Sequence, residues 1–264
     1  MIDNKKEFKL IEKKNPKSLL PNTLTIFGVC LGLSSIKFAL DANYAMSVIA
    51  IGFAAILDTL DGRVARLIKG TSKVGKELDS LTDVISFGVA PGFIMYFWAL
   101  NEIGKFGWMF VLIYTVCCAL RLARFNLTTI EESETWKINF FEGVPSPAAA
   151  GLVLLPLILS LSGLFQIENY AIISSVTILT TSVLMVSKIP TYSLKRILIP
   201  RNLTIFLLLG IGIYVSLLIF YTFETLFFTG LFYYSLIPIS LFHYRHKNKT
   251  SKIEETDDGT EDVL

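Results

Sequence analysis

Apolar residues run through this chain in long blocks, and polar residues gather between them. Crossing a hydrocarbon core about 30 Å thick takes roughly 20 mainly apolar residues in a helix. Eight stretches meet that length, at 19–40, 43–68, 78–100, 106–125, 146–165, 168–187, 203–221 and 224–242. The pattern predicts an all-α polytopic membrane helix bundle of about eight transmembrane helices, buried in lipid rather than around a water-excluding soluble core.

Charge gives the predicted bundle an orientation. Lys and Arg near span ends accumulate on the cytoplasmic side. The N-terminal segment carries Lys5, Lys6, Lys9, Lys13, Lys14 and Lys17, and the turn after span one carries none. Basic residues return after spans two, four, six and eight. Of the 24 Lys and Arg residues, all but Lys37 and Lys105 fall on one side. This alternation predicts an even number of spans with both termini cytoplasmic, in the cell inner (cytoplasmic) membrane. Residues 1–18 read as a basic cytoplasmic segment with no cleavable signal peptide, and the acidic stretch 244–264 as a disordered cytoplasmic tail. Cys30, Cys117 and Cys118 lie inside apolar segments without metal-knuckle spacing, which excludes a disulfide framework and favours packing roles.

The chemistry concentrates where span two ends and span three begins, in ILDTLDGRVARLIKGTSKVGKELDSLTDVISFG. Asp58 and Asp61 stand three apart on one helix face, and Asp79 and Asp83 stand four apart on the next helix. Uncompensated carboxylates at membrane depth are costly, so something must offset them. A reversal between Leu67 and Glu77, helped by Gly70 and Gly75, would bring all four to one point at the cytoplasmic interface. Convergent carboxylate oxygens suit Mg²⁺ or Mn²⁺, with Ca²⁺ also compatible, and do not suit zinc. Helix caps, or salt bridges from Asp79 or Asp83 to Arg66 or Lys76, are the plainer alternatives. Gly62, Ala65 and Gly75 clear space for a bulky polar ligand, Arg66 offers a fork for phosphate oxygens, and Thr71 and Ser72 offer hydroxyls. Together these describe a diphosphate site.

The run D-x2-D-G-x2-A-R-x8-G-x3-D-x3-D, from Asp58 to Asp83, resembles the signature of the CDP-alcohol phosphatidyltransferases. SLLPNTLTIFGVCLG, ELDSLTDVISFGVAPG, ALRLARFN, FFEGVPSPAAAG and SKIPTYSLKR are similar to segments of that family's phosphatidylserine synthase branch. The resemblance covers roughly residues 18–200. It implies transfer of a phosphatidyl group from CDP-diacylglycerol to L-serine, releasing CMP. It further implies that Asp58, Asp61 and Asp79 hold metal, and that Asp83 contributes to metal binding and acts as the general base. Gly62, Arg66, Ser72 and Gly75 would contact the CDP moiety, with Ala65 beside them. Asn22 has two readings, a CDP neighbour or a helix N-terminal residue after Pro21. The predicted division is a basic segment 1–18, a transferase core 19–200, two added spans at 201–243 and the tail 244–264. The predicted partners are CDP-diacylglycerol, L-serine, membrane lipid and a second copy of the chain, with no nucleic acid.

For the acceptor, a buried carboxylate needs a cationic fork. Arg121 and Arg124 at the cytoplasmic end of span four, followed by Asn126, are the candidates, with Lys188 a further one. Anchoring at the interface accounts for the same cations. Pro145, Ser146 and Pro147 fall at the rim of such a pocket. The same residues would also serve glycerol 3-phosphate, inositol phosphate or choline as acceptor. A divalent-cation transporter is the alternative of another class. It would place its acids near the midplane, commonly with repeated halves, and neither feature is present here.

Overall fold

The computed structural model describes residues 19–68, 73–127, 140–192 and 203–261. It is a helical bundle. Helix α1 (Leu19–Leu40) turns back into α2 (Tyr44–Leu67) through Ala42 at φ 57°, and Asn43 caps α2 by accepting the Met46 N–H at 3.3 Å. Helix α3 (Lys73–Asp83) passes into a π-helical turn, Val84–Val89, and then α4 (Ala90–Trp98). A 3₁₀ turn, Leu100–Ile103, leads to α5 (Lys105–Leu127). Then come strand β1 (Phe140–Glu142), α6 (Ser146–Val153), α7 (Leu155–Ser162), α8 (Tyr170–Val186), strand β2 (Pro190–Tyr192), α9 (Thr204–Phe220) and α10 (Thr222–Glu261).

Among the described residues, five helical stretches are long and apolar enough to cross a membrane: Leu20–Leu40, Tyr44–Leu67, Val74–Trp98, Lys105–Leu127 and Thr222–Tyr244. The apolar helices α8 and α9 have 17 residues each, about 25 Å at 1.5 Å per residue. The expected span at 146–165 is instead the pair α6 and α7. Pro156 has no N–H to return to the Leu152 carbonyl, and the helix breaks at Leu154. Two further departures bear on the expectations. Helix α3 begins at Lys73, so Gly75 stands in its first turn and not in a reversal reaching Glu77. Helix α10 continues to Glu261 through the segment expected to be without structure, which has no Pro or Gly between Pro238 and Gly259.

Small residues set the packing at the heart of the bundle. Gly28 and Gly32 on α1 face the π turn, and a Cβ on Gly32 would lie 2.5 Å from the Ser86 hydroxyl oxygen. One turn inside the next contact, Gly88 and Gly92 lie so close to α5 that a Cβ would fall 3.1 Å from Cys118 and 3.0 Å from Val111. These are the small-xxx-small faces by which membrane helices approach closely. The buried Tyr114 hydroxyl of α5 donates to the Phe87 carbonyl at 2.7 Å, inside the π turn. At the far end of the bundle, Phe93, Tyr96 and Trp108 stack edge to face, and Trp98 lies 5.1 Å from Tyr170, as in an interfacial aromatic belt.

The two strands form a short antiparallel ribbon, with Phe140 opposite Tyr192 and Glu142 opposite Pro190. Gly143 follows β1 at φ 72°, where an added Cβ would be 2.7 Å from the Met185 carbonyl oxygen. Its N–H donates to the Ile189 carbonyl at 2.9 Å. The ribbon ties the start of α6 to the end of α8, on the side where the aspartates lie.

Candidate active site

Asp58 and Asp61 occupy the last turns of α2, and Asp79 and Asp83 the second half of α3. Helix α1 packs against both. One carboxylate oxygen from each of Asp58, Asp61 and Asp79 lies within 4.8 Å of the others. The Thr25 hydroxyl of α1 is buried against Asp61, 2.7 Å from its Oδ2, and 3.0 Å from the Pro21 carbonyl. Asp83 sits deeper, within hydrogen-bonding reach of Asp58 and in the field of Asp61 and Asp79. Its Oδ1 is buried without a hydrogen-bond partner.

Among the described residues the ion pair is Lys37 with Asp41, at the other end of α1. No salt bridge to the four aspartates forms among the described residues, and Arg66 turns its Nε to the Gly62 carbonyl at 3.0 Å. The salt-bridge alternative for Asp79 and Asp83 is therefore not what the described residues form. Hard divalent cations bind carboxylate oxygens at about 2.1–2.4 Å, so ligands across one ion are about 4.2–4.8 Å apart. The three converging oxygens lie within that upper limit of one another. The donor set, all carboxylate oxygen, fits a divalent cation of the Mg²⁺ or Ca²⁺ type, and the aspartate cluster could hold one.

The surroundings leave room. A Cβ on Gly62 would meet nothing within 4 Å, so no packing partner fills the space beside Asp61. Ala65 is half-buried and Arg66 exposed on the same helix. Gly75 stands at the start of α3. Asn22 lies one helical turn before Thr25, half-buried on α1. Ser72 and Thr71 lie outside the described residues.

The acceptor candidates divide. Arg121 reaches inward: its Nη1 donates to the Ser146 hydroxyl at 3.0 Å, while its Nε is buried without a partner. Asp83, Cys118 and Tyr233 surround it. Arg124 donates to the Val186 carbonyl at 2.9 Å, at the C-terminus of α8. Asn126 donates to the Ser80 hydroxyl at 2.8 Å and joins α5 to α3. Lys188 is exposed, and none of the contacts among the described residues joins it to the cluster. Sequence reasoning missed Thr25, Ser80, Thr191 and Tyr233. Thr25 stands inside the PNTLT stretch, and Thr191 inside SKIPTY, so both lay within segments already singled out. Tyr233 is one of ten tyrosines and carried no signal.

Residues 18–190 match the CDP-alcohol phosphatidyltransferase family, and the chain belongs to that family. It is similar to the CDP-diacylglycerol–serine O-phosphatidyltransferase of Mycobacterium leprae, 34% identical over 230 residues that span 86% of this chain and 76% of the relative. The enzyme of the same name from Helicobacter pylori strain 26695 is 40% identical over 194 residues, 74% of this chain and 79% of the relative. That from Mycobacterium tuberculosis strain H37Rv is 38% identical over 187 residues, covering 70% of this chain and 64% of the relative's length. Family membership answers the transporter alternative.

Proposed function

We propose that this membrane protein transfers the phosphatidyl group of CDP-diacylglycerol to L-serine, giving phosphatidylserine and CMP. The observation that carries the reading is the convergence of Asp58, Asp61 and Asp79, whose oxygens lie within 4.8 Å of one another on a complete eight-position family motif. The names of the similar enzymes supply serine as the acceptor, in preference to glycerol 3-phosphate, inositol phosphate or choline.

In this reading Asp58, Asp61 and Asp79 hold Mg²⁺ or Mn²⁺, with Asp83 adding a fourth carboxylate. A bound divalent cation supplies charge neutralisation for the diphosphate and for the departing CMP. Gly62 and Ala65 leave the diphosphate room beside α2, with Arg66, Ser72, Gly75 and Asn22 as its polar or close backbone neighbours. Arg121 orients the acceptor carboxylate. Asp83 takes the proton of the serine hydroxyl as its oxygen forms a bond to the lipid-side phosphorus. The bond between that phosphorus and the bridging oxygen breaks, and the electron pair leaves with CMP. A carboxylate is a weak base for an alcohol, so the proton moves late, as the oxygen–phosphorus bond forms.

The basic flanks support a cluster at the cytoplasmic face, with both termini on that side, of what in this reading is the inner membrane. Residues 19–200 form the transferase core, 201–243 add two spans, and the family resemblance includes pairing of two copies.

The test is an acceptor panel. Purified protein is given CDP-diacylglycerol, Mn²⁺ or Mg²⁺, and serine, inositol phosphate or glycerol 3-phosphate separately. CMP release that depends on serine supports the reading, and release only with another acceptor overturns it.

A further inference from the structure

Among the described residues, six buried side-chain atoms have no hydrogen-bond partner, and three of them belong to Asp83, Arg121 and Tyr233. These three are neighbours. Both Asp83 and Tyr233 act electrostatically on Arg121, although they come from α3, α10 and α5 respectively. Buried polar groups are nearly always satisfied, so three orphans at one place mark a site built for something that supplies the missing bonds. Arg121 and Asp83 carry opposite charges yet do not form an ion pair in the described structure. Arg121 is held back by Ser146, which accepts from its Nη1 at 3.0 Å.

The frame around Tyr233 is fixed. Its hydroxyl lies beside Thr191 of β2 without completing a hydrogen bond, and the Thr191 hydroxyl itself donates to the Gly143 carbonyl at 2.8 Å. The tyrosine ring packs on the apolar core. The Tyr233 oxygen thus has the β1–β2 ribbon at Thr191 and the Arg121 guanidinium as its polar neighbours.

We propose that Tyr233 of the last span completes the acceptor pocket and, with the Arg121 Nε–H, binds the acceptor's carboxylate. The inference rests on the serine reading above. The guanidinium Nε–H and the phenol O–H are neighbouring buried donors without partners, and an anion is the complement of both. Asp83 Oδ1, the unpartnered acceptor beside them, takes the hydroxyl of the same molecule. A small hydroxy acid carrying a carboxylate matches that arrangement. A neutral or purely cationic alcohol leaves both donors unmatched. Tyr233 lies beyond residue 190, where the family match ends, so α10 becomes part of the specificity machinery rather than an appended span.

The experiment is steady-state kinetics on Tyr233→Phe, which keeps the ring and removes only the hydroxyl. The KM for serine should rise about ten- to hundredfold, the range for losing one hydrogen bond to a charged group, while kcat and the KM for CDP-diacylglycerol stay within about twofold. On wild-type protein, L-alanine should compete with serine and ethanolamine should not, a measurement that needs no variant. An unchanged serine KM in Tyr233→Phe, equal rises in both KM values, or inhibition by ethanolamine matching that by alanine overturns the inference. If the wild type releases CMP with serine, an unchanged serine KM or equal rises in both KM values removes only the role of Tyr233, and matched inhibition by ethanolamine removes carboxylate recognition by Arg121 as well. If it releases CMP with another alcohol alone, the serine reading falls with it.

Discussion

The Thr25 hydroxyl of α1 meets the Asp61 carboxylate of α2 at 2.7 Å, in a buried contact that joins the first span to the candidate metal site. A carboxylate that would ligate a cation is thereby held in one orientation from behind. Groups in such a second layer commonly set metal affinity by about 10–100-fold. Thr25→Val keeps the shape and removes the hydroxyl. The Mn²⁺ concentration giving half-maximal CMP release should rise by that factor, with little change in the KM for serine. Metal titration of the purified variant checks it.

Asp83→Asn should behave differently. It keeps the size of the side chain and removes the base, which general-base catalysis values at about 10²–10⁴-fold in rate. Turnover should be lost while CDP-diacylglycerol and some metal still bind. Near-normal turnover would return Asp83 to a purely ligating or structural role.

Arg121 and Arg124 should separate in function, although they stand three residues apart. Arg121→Lys removes the buried Nε–H and should raise the serine KM by tenfold or more, about 1.4 kcal/mol. Arg124→Ala loses a donor to the Val186 carbonyl at the end of α8. It should cost about 1 kcal/mol of stability and leave serine dependence near wild type. Kinetics and thermal unfolding of both variants in detergent decide this.

The two glycines of α1 give a packing test. Gly32→Ala places a methyl 2.5–2.9 Å from Ser86, and overpacking of this kind costs about 1–3 kcal/mol. Gly28→Ala meets only Thr82 Cγ2 at 3.8 Å, an ordinary contact. The first variant should lower the midpoint of thermal unfolding and the second should not.

The bundle and the aspartates were legible because each has a local signature: long apolar blocks for the spans, and carboxylates at three- and four-residue spacing for the cluster. What escaped depends on distant partners. Pro156 looked compatible with one continuous span, and only the break at Leu154 reveals two helices. The β1–β2 ribbon pairs segments almost fifty residues apart, too short and too separated to leave a periodic pattern; its Gly143 and Thr191 are 48 residues apart. Thr25 and Tyr233 acquire meaning only from what α1 and α10 pack against. Ser72 falls outside the described residues, and its predicted contact with the CDP moiety rests on the family resemblance.

If the aspartate cluster is a metal centre, anomalous diffraction from crystals grown with Mn²⁺ and CDP-diacylglycerol should show a peak within about 2.5 Å of carboxylate oxygens from Asp58, Asp61 and Asp79. Saturating Mn²⁺ with no peak among these three residues, or with its only peak elsewhere, would contradict it.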